Sequence, residues 1–238
     1  MRVTTTRRRT SLFIGRIDRR MGIKLRPAQL ADAPALVEIK RHLRMPPEAG
    51  QTQQGGFLLG TTQEQYERFI VHDEVWVAEE DSTRQVVGFS IVLSHESILG
   101  SQLWHKAAQA QWADSFLRHV SQRRLAYYEQ LAFLPSAAYR VYAKYLALTS
   151  VQRAFAAHTS LLTTIIREPI HNRAALPFLR VAGFERVGCI DEIYPEYGPV
   201  SSDIYHLDRA VFETNTREGF LGVFIKQACS RGYHLQEN

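Results

Sequence analysis

The sequence predicts a mixed α/β domain, with antiparallel strands in its first half and alternating β-α units in its second. Three observations carry this expectation. Two apolar runs, residues 75–79 and 86–93, flank the polar turn of Asp81, Ser82, Thr83 and Arg84 and read as a β-hairpin. Beyond residue 125, short apolar runs alternate with longer segments of helical spacing. The chain has 238 residues, 45% hydrophobic and 22% charged, an ordinary globular composition able to bury a sizeable core.

Taken in order, residues 23–26 alternate as a short strand ended by Pro27. Asp32 is placed to cap a helix with Pro34 in its first turn, and Leu36, Val37, Ile39, Lys40 and Leu43 continue it. Residues 45–60, rich in proline and glycine, read as a long loop, after which Thr62 caps a helix over 63–71. Between 99 and 118, Trp104, Ala108, Trp112 and Phe116 recur every four residues and predict a helical insertion. The apolar and aromatic run 125–134 then predicts a buried central strand ended by Pro135. A long helix over 137–157, a strand over 161–167 and a helix over 172–182 follow, the last closed by Gly183. Strands over 184–190 and 202–207 complete a central, mostly antiparallel sheet of six to seven strands, flanked by helices. One more helix is expected over 220–228. The chain thus divides into a basic extension (1–22), the domain (23–210) and a C-terminal extension (211–238), whose apolar segment 212–224 offers a surface for a homodimer.

The chain carries 29 basic against 24 acidic side chains, a net charge of +5. Residues 1–22 hold seven arginines and one acid, Asp18, so this stretch has +6 and the other 216 residues have −1. A nearly neutral domain has no global field for a phosphate backbone, and no nucleic-acid partner is expected for it. In the extension, Leu12, Phe13 and Ile14 fall short of the roughly 7–15 apolar residues of a secretory signal, and Met21 is a candidate natural start. No apolar run approaches the roughly 20 residues of a membrane span. Cys189 and Cys229 are too few for a disulfide framework and suit a cytoplasmic protein. The nine histidines lack metal-ligand spacing, and no nucleophile elbow supports a serine triad, so no metal is expected.

The element order, with the residues on it, resembles the GNAT superfamily of acyl-CoA-dependent N-acyltransferases. Ile23 to Ala28 followed by Asp32 and Ala33 is similar to the family's opening strand and first helix. The most specific stretch is Asn172, Ala175, Gly183 and Phe184, which keep the family's spacing, and Gln130 to Pro135 resembles its central strand and exit. The family's phosphate loop, Arg/Gln-x-x-Gly-x-Gly/Ala, falls on Arg140, Val141, Tyr142, Ala143, Lys144 and Tyr145, where Arg140 is kept and Tyr145 stands in place of the last small residue. Backbone N–H groups at such a helix start bind a pyrophosphate. Leu179 takes the position where many members carry an acidic tyrosine.

The resemblance implies transfer of an acyl group, acetyl foremost, from acetyl-CoA or another acyl-CoA to a small-molecule or peptide amine. It places the pantetheine arm along the backbone of Leu131, Ala132 and Phe133, with an N–H there polarising the thioester, and gives Asn172 a bond to the same arm. Glu129, on the central strand, is the candidate general base, and Tyr142 or Tyr145 the substitute acid. Tyr127 and Tyr128 are candidates to line the acceptor pocket, Asp191 and Glu192 to bind a cationic acceptor, and the insertion 99–118 to shape specificity. Two alternatives stay open. One is a long-chain transferase of the N-acyl amino acid synthase type using acyl-CoA or acyl carrier protein. The other is a CoA-binding domain without turnover.

Overall fold

The computed structural model describes residues 22–45, 50–52, 55–113, 123–194 and 197–230. Most of the basic extension, Met21 included, and Phe116 lie outside the described residues. The elements are β1 (Ile23–Pro27), α1 (Ala33–His42), β2 (Gln51–Thr52), α2 (Gln63–His72), β3 (Glu74–Glu80), β4 (Val86–Leu93), α3 (His95–Leu99), α4 (Gln102–Ala107) and β5 (Gln111–Trp112). There follow β6 (Leu125–Phe133), α5 (Arg140–Ala157), β7 (Ser160–Glu168), β8 (His171–Asn172), α6 (Leu176–Ala182), β9 (Glu185–Tyr194), β10 (Gly198–Asp208), α7 (Arg209–Glu218) and α8 (Phe220–Ser230).

Eight strands form one sheet in the order β1-β3-β4-β6-β7-β10-β9-β5, and all neighbours are antiparallel except β6 and β7. The sheet exceeds the expected six to seven strands because Gln111 and Trp112 pair with β9 as a short edge strand. This also corrects the helix expected over 99–118. Two short helices end at Leu99 and Ala107, and the indole N–H of Trp112 donates to the Ala107 carbonyl, folding the chain back onto the sheet. Among the described residues the recurrence does not make one helix, because Ala108 and Trp112 lie beyond the end of α4, and residues 114–118 lie outside the described residues.

Helices cover both faces. On one, Ala33, Leu36 and Ile39 of α1 and Tyr66 of α2 pack against Val77, Phe89 and Ile91. On the other, Leu148, Val151 and Phe155 of α5 join Leu179, Phe212 and Leu221 from α6, α7 and α8 over Ala126, Leu161 and Leu207. Residues 209–230 thus hold two helices rather than one. Asp208, whose side chain accepts from the Ala210 N–H, starts α7 directly at the end of β10. Phe212 in α7 is 3% exposed and belongs to this core.

Two ionic clusters fix the sheet margins. Arg26 of β1 spans Asp32 and Glu79, with Arg84 closing on Glu79 from the hairpin side. Arg123, entering β6, binds Ser160 and Asp208 at 2.9 and 2.5 Å and so pins three strand ends together.

The helix expected from residue 172 begins only at Leu176. Asn172 is itself in β8, which pairs parallel with β2 and holds residues 50–52 against residues 171–173. The helix ends as its sequence predicts, at Gly183, with φ 96° in the left-handed region. A side chain there would meet Asn215 Nδ2 at 2.4 Å and Val211 Cγ1 at 2.8 Å. Gly183→Ala should therefore lower the unfolding free energy by more than about 1 kcal/mol. Urea denaturation measures this, and an unchanged midpoint would contradict the cap.

Candidate active site

The site is built by a failure of strand pairing. β6 and β7 run parallel and pair only over Leu125–Ser160, Ala126–Leu161 and Tyr127–Leu162, after which the strands separate. At the fork, Thr163 Oγ1 donates to the Tyr128 carbonyl at 2.9 Å, and the Tyr127 and Thr164 hydroxyls share a hydrogen bond of 2.7 Å. On its other side β6 stays in register with β4, but the pairing jumps from Tyr128–Val92 to Gln130–Ile91. Glu129 is the extra residue of a β-bulge, a device that twists a strand and re-aims a side chain.

The register assigns the backbone groups. The Leu134 N–H donates to the Val87 carbonyl. In an antiparallel ladder hydrogen-bonded and non-hydrogen-bonded pairs alternate, so Ala132 and Gln130 bond to β4, while the N–H and C=O groups of Leu131 and Phe133 turn the other way. They face the gap left by β7. That gap opens into a cleft of about 1820 Å³, lined by β6 from Tyr127 onward, by Leu162–Ile166 of β7, and by Arg140, Ala143 and Lys144 of α5.

At the inner end the cleft is polar and partly dry. Glu129 points into it, half-buried, and burial pushes its carboxyl above the usual range against the pull of the Gln130 amide and of the Lys40 and Lys106 charges. Gln130 is itself held by the Tyr66 hydroxyl, which donates to its Oε1 at 3.0 Å. Lys106 binds Glu192 at 2.6 Å and lies over the Tyr194 ring, so Glu192 enters the cleft already paired. Asp191 points elsewhere and accepts from Ser201 at 2.5 Å on the exposed side. Tyr127 and Tyr128 both line the cleft, and burial raises both phenols.

At the outer end, Arg140 and Lys144 stand one turn apart on α5, exposed, and line the mouth. Part of the backbone donor set there is taken up before the helix begins. A 3₁₀ turn over Ala137–Tyr139 uses the Ala138, Tyr139 and Arg140 N–H groups on Ser136 Oγ, the Ser136 carbonyl and the Ala137 carbonyl. Val141, Tyr142 and Tyr145 do not reach the cleft. Tyr142 and Tyr145 are each 2% exposed and pack with Ile23, Ala78 and Val87 on the far side of the helix, where Tyr145 also stacks on Phe224. The expectation of an acid from Tyr142 or Tyr145 is corrected accordingly, because both rings serve the core. Asn172 does line the cleft. Its side chain engages protein backbone, accepting from the Ala174 N–H at 3.3 Å and reaching the Gly56 carbonyl at 3.5 Å.

Sequence reasoning missed Lys40. It sits in the apolar stripe of α1 beside Leu36 and Ile39, is 8% exposed, and projects into the cleft. A lysine at a core-facing helical position was the available signal. Among the described residues no group of His, Cys, Asp and Glu could hold a metal, and no helix is long and apolar enough to cross a membrane.

No protein-family model matches the chain, and no curated protein does. Solved structures do. The chain is similar to an N-acetyltransferase from Staphylococcus aureus, with a TM-score of 0.52 and 16% identity over 79% of this chain and 98% of that one. It is similar to Arabidopsis thaliana NAA60 in complex with a bisubstrate analogue, at TM-score 0.53 and 15% identity over 79% and 99% of the two chains. A spermidine/spermine N-acetyltransferase from Vibrio cholerae matches at TM-score 0.51 and 11% identity over 82% and 98%. The chain has the fold of the GNAT superfamily of N-acetyltransferases.

Burial lowers the Lys40 ammonium from 10.5 to about 8, against the favourable charge of Glu129. Between those values the unfolded chain binds the proton and the folded chain does not, so this group makes stability rise with pH across that window. Below pH 8 the penalty is fully present. Lys40→Met should therefore be more stable than the parent at pH 7, with the difference closing toward pH 10.5. Urea denaturation at pH 7, 9 and 10.5 tests this, and a gain independent of pH would mean that the buried cation is not its cause.

Proposed function

We propose that the protein is an N-acyltransferase that moves an acyl group, acetyl foremost, from acyl-CoA to a primary amine by direct attack on the thioester. The observation that carries this reading is the fork between β6 and β7. It leaves the ladder groups of Leu131 and Phe133 facing a cleft with a half-buried carboxylate, Glu129, at the bulge. A pantetheine arm contains amides and can take the place of the missing strand, bonding to those groups as β7 would have done. An N–H on the same edge is then aimed where the thioester oxygen gains charge. Arg140 and Lys144 meet the phosphates at the mouth as side-chain cations.

The acceptor ammonium gives one proton to Glu129, directly or through water, and the neutral nitrogen attacks the thioester carbon. The C–S bond breaks, the nitrogen loses a second proton, the thiolate takes one proton, and one is released to solvent. Burial suits Glu129 to this role, since it moves the carboxyl toward the pH at which the base works. Leu179 lines the cleft where a tyrosine acid would be expected from the resemblance. A thiolate, with a reference thiol pKa of about 8.5, leaves tolerably without one.

One observation supports the longer-chain alternative. The cleft, at about 1820 Å³, exceeds the roughly 300–1000 Å³ usual for small-ligand pockets, and Met45, Phe57, Leu58 and Trp112 give it an apolar wall.

Thermal-shift titration with CoA, acetyl-CoA, long-chain acyl-CoA and ADP should show stabilisation growing with ligand concentration. Arg140→Ala together with Lys144→Ala should weaken CoA binding by about 10- to 100-fold, as loss of charge-assisted contacts does. Glu129→Gln should cut thiol release by about 100-fold or more while CoA still binds. No response to any of these ligands at millimolar concentration would remove the acyltransferase reading.

A further inference from the structure

Lys40 is not used by the reaction described above, and its surroundings are unusual for a buried cation. Its ammonium donates to Thr61 Oγ1 at 2.5 Å and lies 4.8 Å from the centre of the Phe57 ring. Among the described residues no carboxylate comes within 4 Å of it. Lys106, the other cation that acts on Glu129, is closed by Glu192 at 2.6 Å. An ammonium has three donors, and a desolvated one is stable only when its charge and hydrogen bonds are met. Nothing in the packing requires a lysine here. Its neighbours in the stripe, Leu36 and Ile39, show that α1 can seat aliphatic side chains at this interface.

The charges in the inner cleft come in a pattern. Glu129 at the bulge offers one carboxylate, half-buried, and Lys40 offers one ammonium with room for an anionic partner, the two acting on each other across the cavity they line. A ligand carrying an amine and a carboxylate close together would complement both. We infer, resting on the acyltransferase reading, that the acceptor is an amino-acid-like zwitterion. Its amine lies at Glu129 and the thioester, and its carboxylate is received by Lys40 with Thr61 beside it. The product is an N-acyl compound that keeps its carboxylate, released with CoA thiol. A peptide N-terminus has an amide where this carboxylate would be, and a polyamine has a second cation or a methylene. Either would leave Lys40 without its counter-charge and is disfavoured.

The test compares acceptors that differ only in the carboxylate: alanine with ethylamine, and phenylalanine with phenethylamine, each with acetyl-CoA and the full chain, following thiol release. The amino acids should exceed their matched amines in kcat/KM by about 10- to 100-fold, the range of one charge-assisted contact. In Lys40→Met, and in Lys40→Gln as a polar control, that ratio should fall to near one. A second arm needs no turnover: calorimetric titration of the same amino acids and amines into CoA-saturated protein should show amino-acid binding that Lys40→Met weakens by the same factor. Turnover of the decarboxylated amines as well as or better than the amino acids would overturn the acceptor class and leave acyl transfer standing. An amino-acid preference that survives in both variants would overturn the assignment of the carboxylate to Lys40. No CoA binding and no thiol release with any amine would overturn the underlying reading, and this inference with it.

Discussion

The separation of β6 from β7 is the constraint on which the rest of the site depends. Three residue pairs hold the strands together, Leu125 to Tyr127 against Ser160 to Leu162, and then each strand follows a different partner. β6 stays with β4, and β7 stays with β10 along nearly its whole length. An unpaired ladder edge inside a protein is unfavourable, because each buried backbone group needs a partner. The fold leaves this edge on the cleft of about 1820 Å³ and closes its apex with the Thr163 and Tyr127 side-chain bonds. The bulge at Glu129 follows from the same geometry, since the extra residue lies just past the point where pairing with β7 is lost.

Electrostatics in the cleft follow from depth. Near the apex, water is partly excluded, so Glu129 is pushed toward its neutral form and Lys40 toward its neutral form, each restrained by the other's charge. Lys106 and Glu192 avoid this competition by direct contact. Two groups held off their ordinary protonation behaviour in one cavity are what proton-transfer chemistry uses, and the ion pairs elsewhere among the described residues do not share the pattern. The Arg26, Glu79 and Asp32 cluster is buried too, yet every member is paired, and it serves to join β1, β3 and the start of α1.

Much of the fold was legible because periodicity and turn chemistry report local structure well. The hairpin of β3 and β4, the α5 segment and the Gly183 cap all follow from spacing and one conformational requirement. What was not legible was set by tertiary contact. Gln111 and Trp112 became an edge strand because β9 offered an unpaired partner, which overrides a helical recurrence built from few residues. Asn172 became a strand residue because residues 50–52 came to meet it. The site was half legible. Glu129 and the Leu131 to Phe133 backbone could be placed from the resemblance of the central strand, but a bulge leaves no mark in a sequence. Lys40 did leave one, a charge in an apolar stripe, which looks the same whether a core or a cleft lies opposite.

The helix start beside the cleft departs from the glycine-rich motif that its position resembles. A 3₁₀ turn over Ala137–Tyr139 leads into this helix and takes up the Arg140 N–H, and Tyr145 stands where a small residue would allow close approach. The tyrosine does not obstruct the mouth, because it turns inward to Tyr142 and stacks on Phe224 of α8. That stacking ties the C-terminal helix to the start of α5, and Lys144 lies over the same Phe224 ring. The exchange has a physical consequence. Amides fixed by a helix recognise an anion through geometry and dipole, whereas Arg140 and Lys144 are exposed side chains whose attraction ions screen over about 8–10 Å. In the proposed reaction, recognition grades along the cleft, from the exposed charges of Arg140 and Lys144 at the mouth to fixed backbone groups and buried charges toward the apex.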